Sequence, residues 1–178
     1  FDLMIEILKH EGMTADNLVR QWNYIGNILS VKDRLQNYQI FNEVRYDYYS
    51  RFRKIHGFPA ATGVGMKHGG VILDFCAVSS DISLKITPVE NPNQVNAYSY
   101  GQQVLKGSVE KGKNTKHPPQ FERALLLADE QEAKLHISGT ASIRGQETIG
   151  INNTGEQTKV TIENIRKLSD AQRLNKLL

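Results

Sequence analysis

The chain has 178 residues, of which 39% are hydrophobic, so it can form one large domain or two small ones around a buried core and is not a disordered chain. A formal net charge of +3 is too small to indicate nucleic-acid binding by itself. No run of 18 apolar residues occurs, so we expect neither a membrane-spanning helix nor a membrane partner.

The first half of the chain alternates between helical and strand patterns. Residues 1–12 read as a helix with one apolar face and a C-terminal Gly12, and residues 16–29 alternate as a strand does. Residues 38–55 read as a second helix, whose apolar stripe is Phe41, Val44, Tyr48, Phe52 and Ile55. Residues 60–66 and 69–78 read as two strands around a glycine turn.

Cys76 is the one cysteine, and it lies in the apolar run VILDFCAV. A single cysteine cannot form a disulfide within the chain, which fits a reducing cytoplasm. The apolar setting predicts a buried and inert thiol.

The second half begins with a shorter strand at 83–87 and a looser region with a possible strand at 95–100. Basic residues cluster at 104–119, which we interpret as a solvated loop. Strands are predicted over 121–128 and 134–143, and a helix over 153–168. This helix has a T-x-x-Q capping box at Thr154 and Gln157, and its apolar side is predicted to be Ile162, Ile165 and Leu168.

The stretch HISGTASIRGQET, residues 136–148, reads as a strand with few large side chains. Glycine inside a strand often marks the close approach of a ligand or of another backbone. Gly139 and Ala141 would leave room for a small ring, and Ser138 and Thr140 would offer hydroxyls. The other interpretation is that the small residues let two sheets or two subunits pack closely.

The order of elements mixes helices and strands without regular βαβ alternation. This pattern favours an α+β fold, with helices packed on one face of a mixed β-sheet. Specifically, we expect the helices at 38–55 and 154–168 to lie on the same face. The chain opens with Phe1 inside one helical pattern and closes inside another, which suggests missing residues at both ends.

Several motifs resemble the Rid family, also called YjgF or L-PSP. The motifs FNEVRYDYY, FPAATGVGM and GGVILDFCAV are similar to the second half of a Rid unit, and KLHISGTASI with TGEQTKVTIENI is similar to the first half. The resemblance implies parts of two tandem units in Rid-like layers. Residues 1–90 would be the C-terminal half of one unit, 91–118 a linker, and 119–178 the N-terminal half of a second unit.

The motifs WNY and SGTASI resemble a narrower group, the chorismatases, which are similar to two fused Rid units. This resemblance implies a hydrolase or lyase that acts on the enolpyruvyl ether of chorismate, or of a related small carboxylate, and releases pyruvate. It implies no metal and no cofactor. It also implies a cytoplasmic homo-oligomer, with a trimer favoured, and no nucleic-acid partner.

The candidate site follows from these motifs together with the chemistry of a dicarboxylate ligand, which needs cationic donors and a small or flat wall. The candidate catalytic residue is Glu147, although a lone carboxylate just past a strand is more often an ordinary loop residue. The candidate substrate-binding residues are Arg20, Trp22, Tyr24, Arg123, Ser138, Gly139, Thr140 and Ala141. Arg20, Trp22 and Tyr24 could instead form a half-buried strand face, and Arg123 could form a surface salt bridge.

Two departures from the family pattern bear on the reaction. Rid imine deaminases resemble one another in an arginine after Pro-Ala, where this chain has Ala61. The glutamate that the chorismatase resemblance implies would lie in a closing strand beyond Leu178. Enamine or imine deamination, a non-catalytic role and an RNA-acting role as endoribonuclease or translation inhibitor remain the alternatives.

Overall fold

A computed structural model describes residues 1–79, 83–109 and 111–178. The helices are α1 (Asp2–His10), α2 (Asn37–Phe52), α3 (Thr154–Leu168) and α4 (Ala171–Leu174). The strands are β1 (Leu18–Gly26), β2 (Val31–Lys32), β3 (Leu35–Gln36), β4 (Ala60–Met66), β5 (Val71–Ala77), β6 (Lys85–Val89), β7 (Ala124–Ala128), β8 (Ala133–Ile137), β9 (Ile143–Arg144) and β10 (Glu147–Thr148). The mixed α+β class is therefore confirmed. No helix of the described ranges is long and apolar enough to cross a bilayer.

The described strands form separate small sheets and not the single mixed sheet that we expected. In the first sheet β1 is central, parallel to β4 and antiparallel to β5; the second sheet has the order β6-β7-β8. The remaining strands form the short hairpins β2-β3 and β9-β10. Helix α2 accompanies the first sheet, where Tyr49 donates a hydrogen bond to Gln21 of β1, and Leu168 of α3 packs against the second sheet.

The first sheet depends on a glycine at the end of its central strand. The connection from β4 to β5 crosses over that end, where the amide of Gly26 donates to the carbonyl of Gly70. A side chain at position 26 would overlap the backbone of His68 and Gly69. Glycine is thus required by the close approach of the two backbones.

The two sheets meet at the start of β4. Ala60 forms an isolated parallel bridge with Glu122, which precedes β7. The Gly139 amide, which follows β8, donates to the Ala61 carbonyl at 3.0 Å. Strand β6 lies within residues 1–90 but pairs with β7, so the second sheet draws one strand from the first part of the chain.

The helix boundaries and faces differ from the sequence predictions. Helix α2 ends at Phe52, and Val44 and Ile55 of its predicted stripe are 39% and 53% exposed. Its buried side is largely polar, because it faces a loop and a cavity as well as the sheet; the buried members are Gln39, Phe41, Asn42, Glu43, Arg45 and Tyr49. In α3 the N-cap is Asn153, not Thr154, because the Asn153 side chain accepts the Glu156 amide.

The apolar side predicted for α3 was correct at Leu168 and wrong at Ile162 and Ile165, which are 44% and 38% exposed. The buried line runs instead through Val160, Asn164 and Leu168, spaced at four residues.

Three other predictions about local structure were wrong. Strand β8 ends at Ile137, because the next residue turns toward β4 and bonds to it. Residues 97–99 form a 3₁₀ turn and not a strand. Cys76 is exposed, because Leu73, Phe75 and Ala77 are the residues of β5 that pack on the core under α1 and α2.

Candidate functional site

A cavity of about 480 Å³ lies where the two sheets meet. Its walls are Tyr38 and Arg45 of α2, the edge of β4, the segment before β7, and residues 139–141. The volume is within the range of small-molecule sites. A groove of about 430 Å³ between α2 and β5 is comparable in size, but no charged side chain lines it.

Two buried arginines line the cavity. Arg45 of α2 is 1% exposed and Arg123 is 4% exposed, and neither forms an ion pair with any carboxylate of the described residues. A buried cation without a counter-charge is costly, so proteins rarely keep one without a use. The pair of arginines therefore makes this cavity suited to an anionic ligand.

Neutral groups hold each guanidinium in place. Arg45 donates to the Asn42 side chain at 2.8 Å and stacks over the Phe41 ring at 5.3 Å. Arg123 donates to the Tyr100 hydroxyl at 2.7 Å and to the Val95 carbonyl. The Nε atoms of both arginines are buried and have no hydrogen-bond partner within the described part of the chain. Hydrogen-bonding capacity thus remains at both residues.

The small-residue wall at 139–141 is anchored from two sides. The Ser138 hydroxyl accepts the Ala61 amide at 2.9 Å and donates to the Glu122 carbonyl. On the other side Asn164 of α3, which is fully buried, donates to the carbonyls of Ala141 and Ile143. Because both anchors fix backbone, the wall is held rigidly while its small side chains leave the cavity open.

The structure brings together only part of the predicted site. Arg123, Gly139, Thr140 and Ala141 line the cavity, and Ser138 is buried beneath it. Arg20, Trp22 and Tyr24 lie on one face of β1 outside the cavity, with the Arg20 guanidinium 4.4 Å over the Trp22 ring. Glu147 is exposed in β10 and does not line it.

Sequence reasoning missed Arg45. The available signal was its position four residues after Phe41, on a side of the helix that must be buried. A buried arginine there requires a counter-charge, and no acidic residue lies three or four residues away along the helix to provide it. Tyr38, Tyr100 and Phe121 were also missed, and their rings add flat walls to the cavity.

Glu43 ties the basic loop to α2 next to this cavity. Its carboxylate accepts hydrogen bonds from the Gln39 side chain, the Lys113 ammonium, and both the backbone amide and the ring of His117. The His117 ring also stacks on Tyr46, with centroids 3.5 Å apart. The loop expected to be solvated is thus partly pinned, and it leads directly into the cavity wall at Pro119 and Phe121.

The hydrogen bonds of Glu43 to the basic loop predict a specific loss of stability in acid. Burial alone would raise the pKa of Glu43, but the hydrogen bonds from His117, Lys113 and Gln39 outweigh it and lower the pKa to about 2. A carboxyl whose pKa is lowered by folding stabilises the protein above its unfolded pKa of 4.5, and that contribution is lost as the pH falls toward 2. Without solvent screening the shift would correspond to about 3 kcal/mol of unfolding free energy at neutral pH, and screening of the partly exposed ion pairs reduces this to about 1–2 kcal/mol.

Urea unfolding of the wild type and of Glu43→Gln between pH 2 and pH 7 measures this contribution. We expect the difference in unfolding free energy between the wild type and Glu43→Gln to be largest above pH 4.5 and to shrink toward pH 2. Glu163, whose side chain is 35% exposed and pairs with Arg144 at 2.7 Å, provides the control Glu163→Gln, which should change stability by less than about 1 kcal/mol. A Glu43→Gln curve parallel to the wild-type curve would contradict the predicted role.

The fold is mixed α+β, and its cavity is lined by two buried arginines that suit an anionic ligand. Residues 1–77 match the family model described as chorismatase FkbO/Hyg5-like, N-terminal. The chain is also similar to a chorismatase of known crystal structure, with a TM-score of 0.79 and 25% identity over 98% of this chain and 50% of that one.

Curated relatives are likewise named chorismatase or 3-hydroxybenzoate synthase. A 3-hydroxybenzoate synthase of Streptomyces hygroscopicus is 32% identical over 91% of this chain and 45% of its own length. A chorismatase of Streptomyces rapamycinicus is 30% identical over 90% of this chain and 45% of its own length. The chain thus spans about half the length of the curated relatives it matches. The comparisons support a relationship to the FkbO/Hyg5-like chorismatase family.

Proposed function

We propose that this chain is part of a chorismatase-like enzyme that cleaves the enolpyruvyl ether of chorismate and releases pyruvate. One observation carries the proposal: two buried arginines without acidic partners face a cavity of small-molecule size. The relatives named chorismatase and 3-hydroxybenzoate synthase support it independently.

The cavity supplies what the substrate requires. Chorismate carries one carboxylate on its ring and one on its enolpyruvyl group, and Arg45 and Arg123 provide a cation for each. Gly139 and Ala141 leave space for the ring, while Tyr38 and Phe121 offer flat surfaces beside it. Holding both carboxylates fixes the ether between two anchored ends, which is the main advantage that binding gives to such a reaction.

The proposed chemistry is acid-catalysed hydrolysis. A proton is added to the terminal methylene carbon of the enolpyruvyl group, which leaves an oxocarbenium-like centre at the ether carbon. Water attacks that centre, and the resulting hemiketal breaks down to pyruvate and the ring alcohol. Loss of one water from the resulting ring diol, which makes the ring aromatic, would give a hydroxybenzoate instead.

No acidic side chain lines the described cavity, so its lining offers no carboxylic acid as the proton donor. We assign that role to the glutamate that the chorismatase resemblance implies in the closing strand of the second unit. Glu147 is less suited to it, because it is exposed and lies outside the cavity. The Tyr100 hydroxyl, which accepts a hydrogen bond from Arg123, retains a proton that it can donate to a substrate oxygen.

Two finer proposals concern architecture. We infer that the first sheet with α2 is the back half of a Rid-like unit and that β7, β8 and α3 are the front half of a second, with the cavity at their boundary. We also propose a homo-oligomer, since the β1 and β5 face that carries Trp22 and Ile72 has no helix over it among the described residues. Light scattering on the full-length protein tests the second of these.

The function is tested by incubating the full-length protein with chorismate. We expect pyruvate to form in equimolar amount to the chorismate consumed, measured by lactate dehydrogenase coupling, with the ring product identified by chromatography and mass. Full-length protein that folds but leaves chorismate unchanged would refute the proposed function.

A further inference from the structure

Arg20 lies directly behind the cavity wall. Its Nη2 donates to the Thr62 hydroxyl at 2.6 Å, and Thr62 lines the cavity while Arg20 does not. The guanidinium is fixed from its other side by stacking at 4.4 Å over the Trp22 ring. Arg20 is 6% exposed, so water contributes little to its solvation.

The direction of this hydrogen bond is set by chemistry. A guanidinium has only N–H donors, so the Thr62 oxygen must be the acceptor. The proton of the Thr62 hydroxyl is therefore not used by Arg20, and no other hydrogen bond of that hydroxyl occurs among the described residues. A hydroxyl that accepts from a cation is polarised and becomes a stronger donor.

Gly139 keeps this hydroxyl accessible. A side-chain carbon at position 139 would lie 3.0 Å from the Thr62 methyl carbon and 3.4 Å from its hydroxyl oxygen. Such a carbon would press on the methyl group and cover the oxygen from the cavity side. The glycine that the sequence singled out therefore makes room for Thr62 as well as for a ligand.

The charge of Arg20 is not neutralised nearby. No described carboxylate forms an ion pair with it, its Nη1 has no described hydrogen-bond partner, and burial lowers its pKa. Burial also lowers the pKa of His136, and the charges of Lys134 and Arg20 add to that effect. The region behind Thr62 is thus electropositive, which favours a negatively charged acceptor on the cavity side.

We propose that Thr62 is a substrate-binding residue whose hydroxyl donates to an anionic oxygen of the ligand, and that Arg20 is the positioning residue that orients and polarises this hydroxyl. The inference rests on the proposed function only in requiring that the cavity takes a carboxylate ligand. In this proposal Arg20 acts through Thr62 and does not contact the ligand.

The test is a double-mutant cycle on ligand binding. The variants are Thr62→Val, Arg20→Met and the double variant, and the probes are chorismate and isophthalate, a planar dicarboxylate, measured by calorimetry on the full-length protein. We expect Thr62→Val and Arg20→Met each to weaken binding about tenfold or more, because each removes or weakens a charge-assisted hydrogen bond. The double variant should bind each probe with the same affinity as the single variant that binds more weakly, because Arg20 acts through the hydroxyl that Val lacks.

Two further variants separate this role from a structural one. Thr62→Ser keeps the hydroxyl and should bind within about threefold of the wild type. Thr161→Val removes a hydroxyl that is bonded to the Gln157 carbonyl of its own helix and should leave binding unchanged. If Arg20→Met fails to fold, the comparison of Thr62→Val with Thr62→Ser still decides the role of Thr62.

The outcomes distinguish the two proposals. If Thr62→Val binds both probes as the wild type does, or if the two single losses add fully in the double variant, the inference is overturned. If the wild type binds neither probe, it is overturned as well. If isophthalate follows the predicted pattern but chorismate is not turned over, the inference stands and the proposed function falls.

Discussion

Arg45→Met should lower kcat/KM for chorismate by about 100-fold or more without lowering the melting temperature. Removing one member of a desolvated pair of opposite charges costs about 2–5 kcal/mol in binding, which accounts for the loss of activity. In the free protein, however, the same charge is 1% exposed and has no described acidic partner. Methionine of similar length therefore relieves a desolvation penalty, and we expect Tm to be equal or higher.

Arg53 provides the matched control. It bonds the backbone carbonyls of Gly57 and Ala15 at 2.8 and 2.6 Å and lies outside the cavity. Arg53→Met should lower Tm and leave the kcat/KM of the folded protein for chorismate unchanged. Arg45 would be a structural residue, contrary to the proposal, if Arg45→Met lowered Tm by several degrees while the folded fraction kept its activity.

Ala141→Leu should abolish chorismate turnover while changing the unfolding free energy by less than about 1 kcal/mol. Ala141 is exposed toward the cavity, and its backbone carbonyl is held by Asn164. The added carbons would therefore extend into the open cavity and occupy the space that we assign to the ring. Kinetics and urea unfolding of the same preparation measure the two effects.

Ala124→Leu is the corresponding change in the core. Ala124 of β7 is fully buried and packs with Val89, Leu126 and Leu168. Overpacking there should cost about 1–3 kcal/mol of stability. If Ala141→Leu behaves as Ala124→Leu does, losing stability while the folded fraction keeps its activity, the small residues serve close packing and not a ligand.

The sequence predicted the elements that have a strong hydrophobic period. Helix α1 is confirmed with Met4, Ile5 and Leu8 buried, and strands β1, β4, β5 and β7 lie where alternation or apolar runs placed them. It did not predict the hairpin of β2 and β3, whose turn places Asp33 and Arg34 at positive φ without the usual glycine.

The lining of the candidate site could be predicted where one segment carries the signal, and not where distant segments combine. Gly139 and Ala141 stood out because small residues interrupt a strand pattern, and both line the cavity. Arg45 and Tyr100 come from other elements, and only the fold brings them to the same cavity. Arg20 was predicted to contact the ligand directly; it lies outside the cavity lining and donates to Thr62, through which we propose that it acts.

The most direct measurement is a crystal structure of the full-length protein with 3-hydroxybenzoate, the product in the name of one relative. We predict that its carboxylate lies within hydrogen-bond distance of Arg45 or Arg123 and that its ring packs against Gly139 and Ala141. A ligand bound instead in the apolar groove between α2 and β5, with the arginine cavity empty, would contradict the assignment of the site.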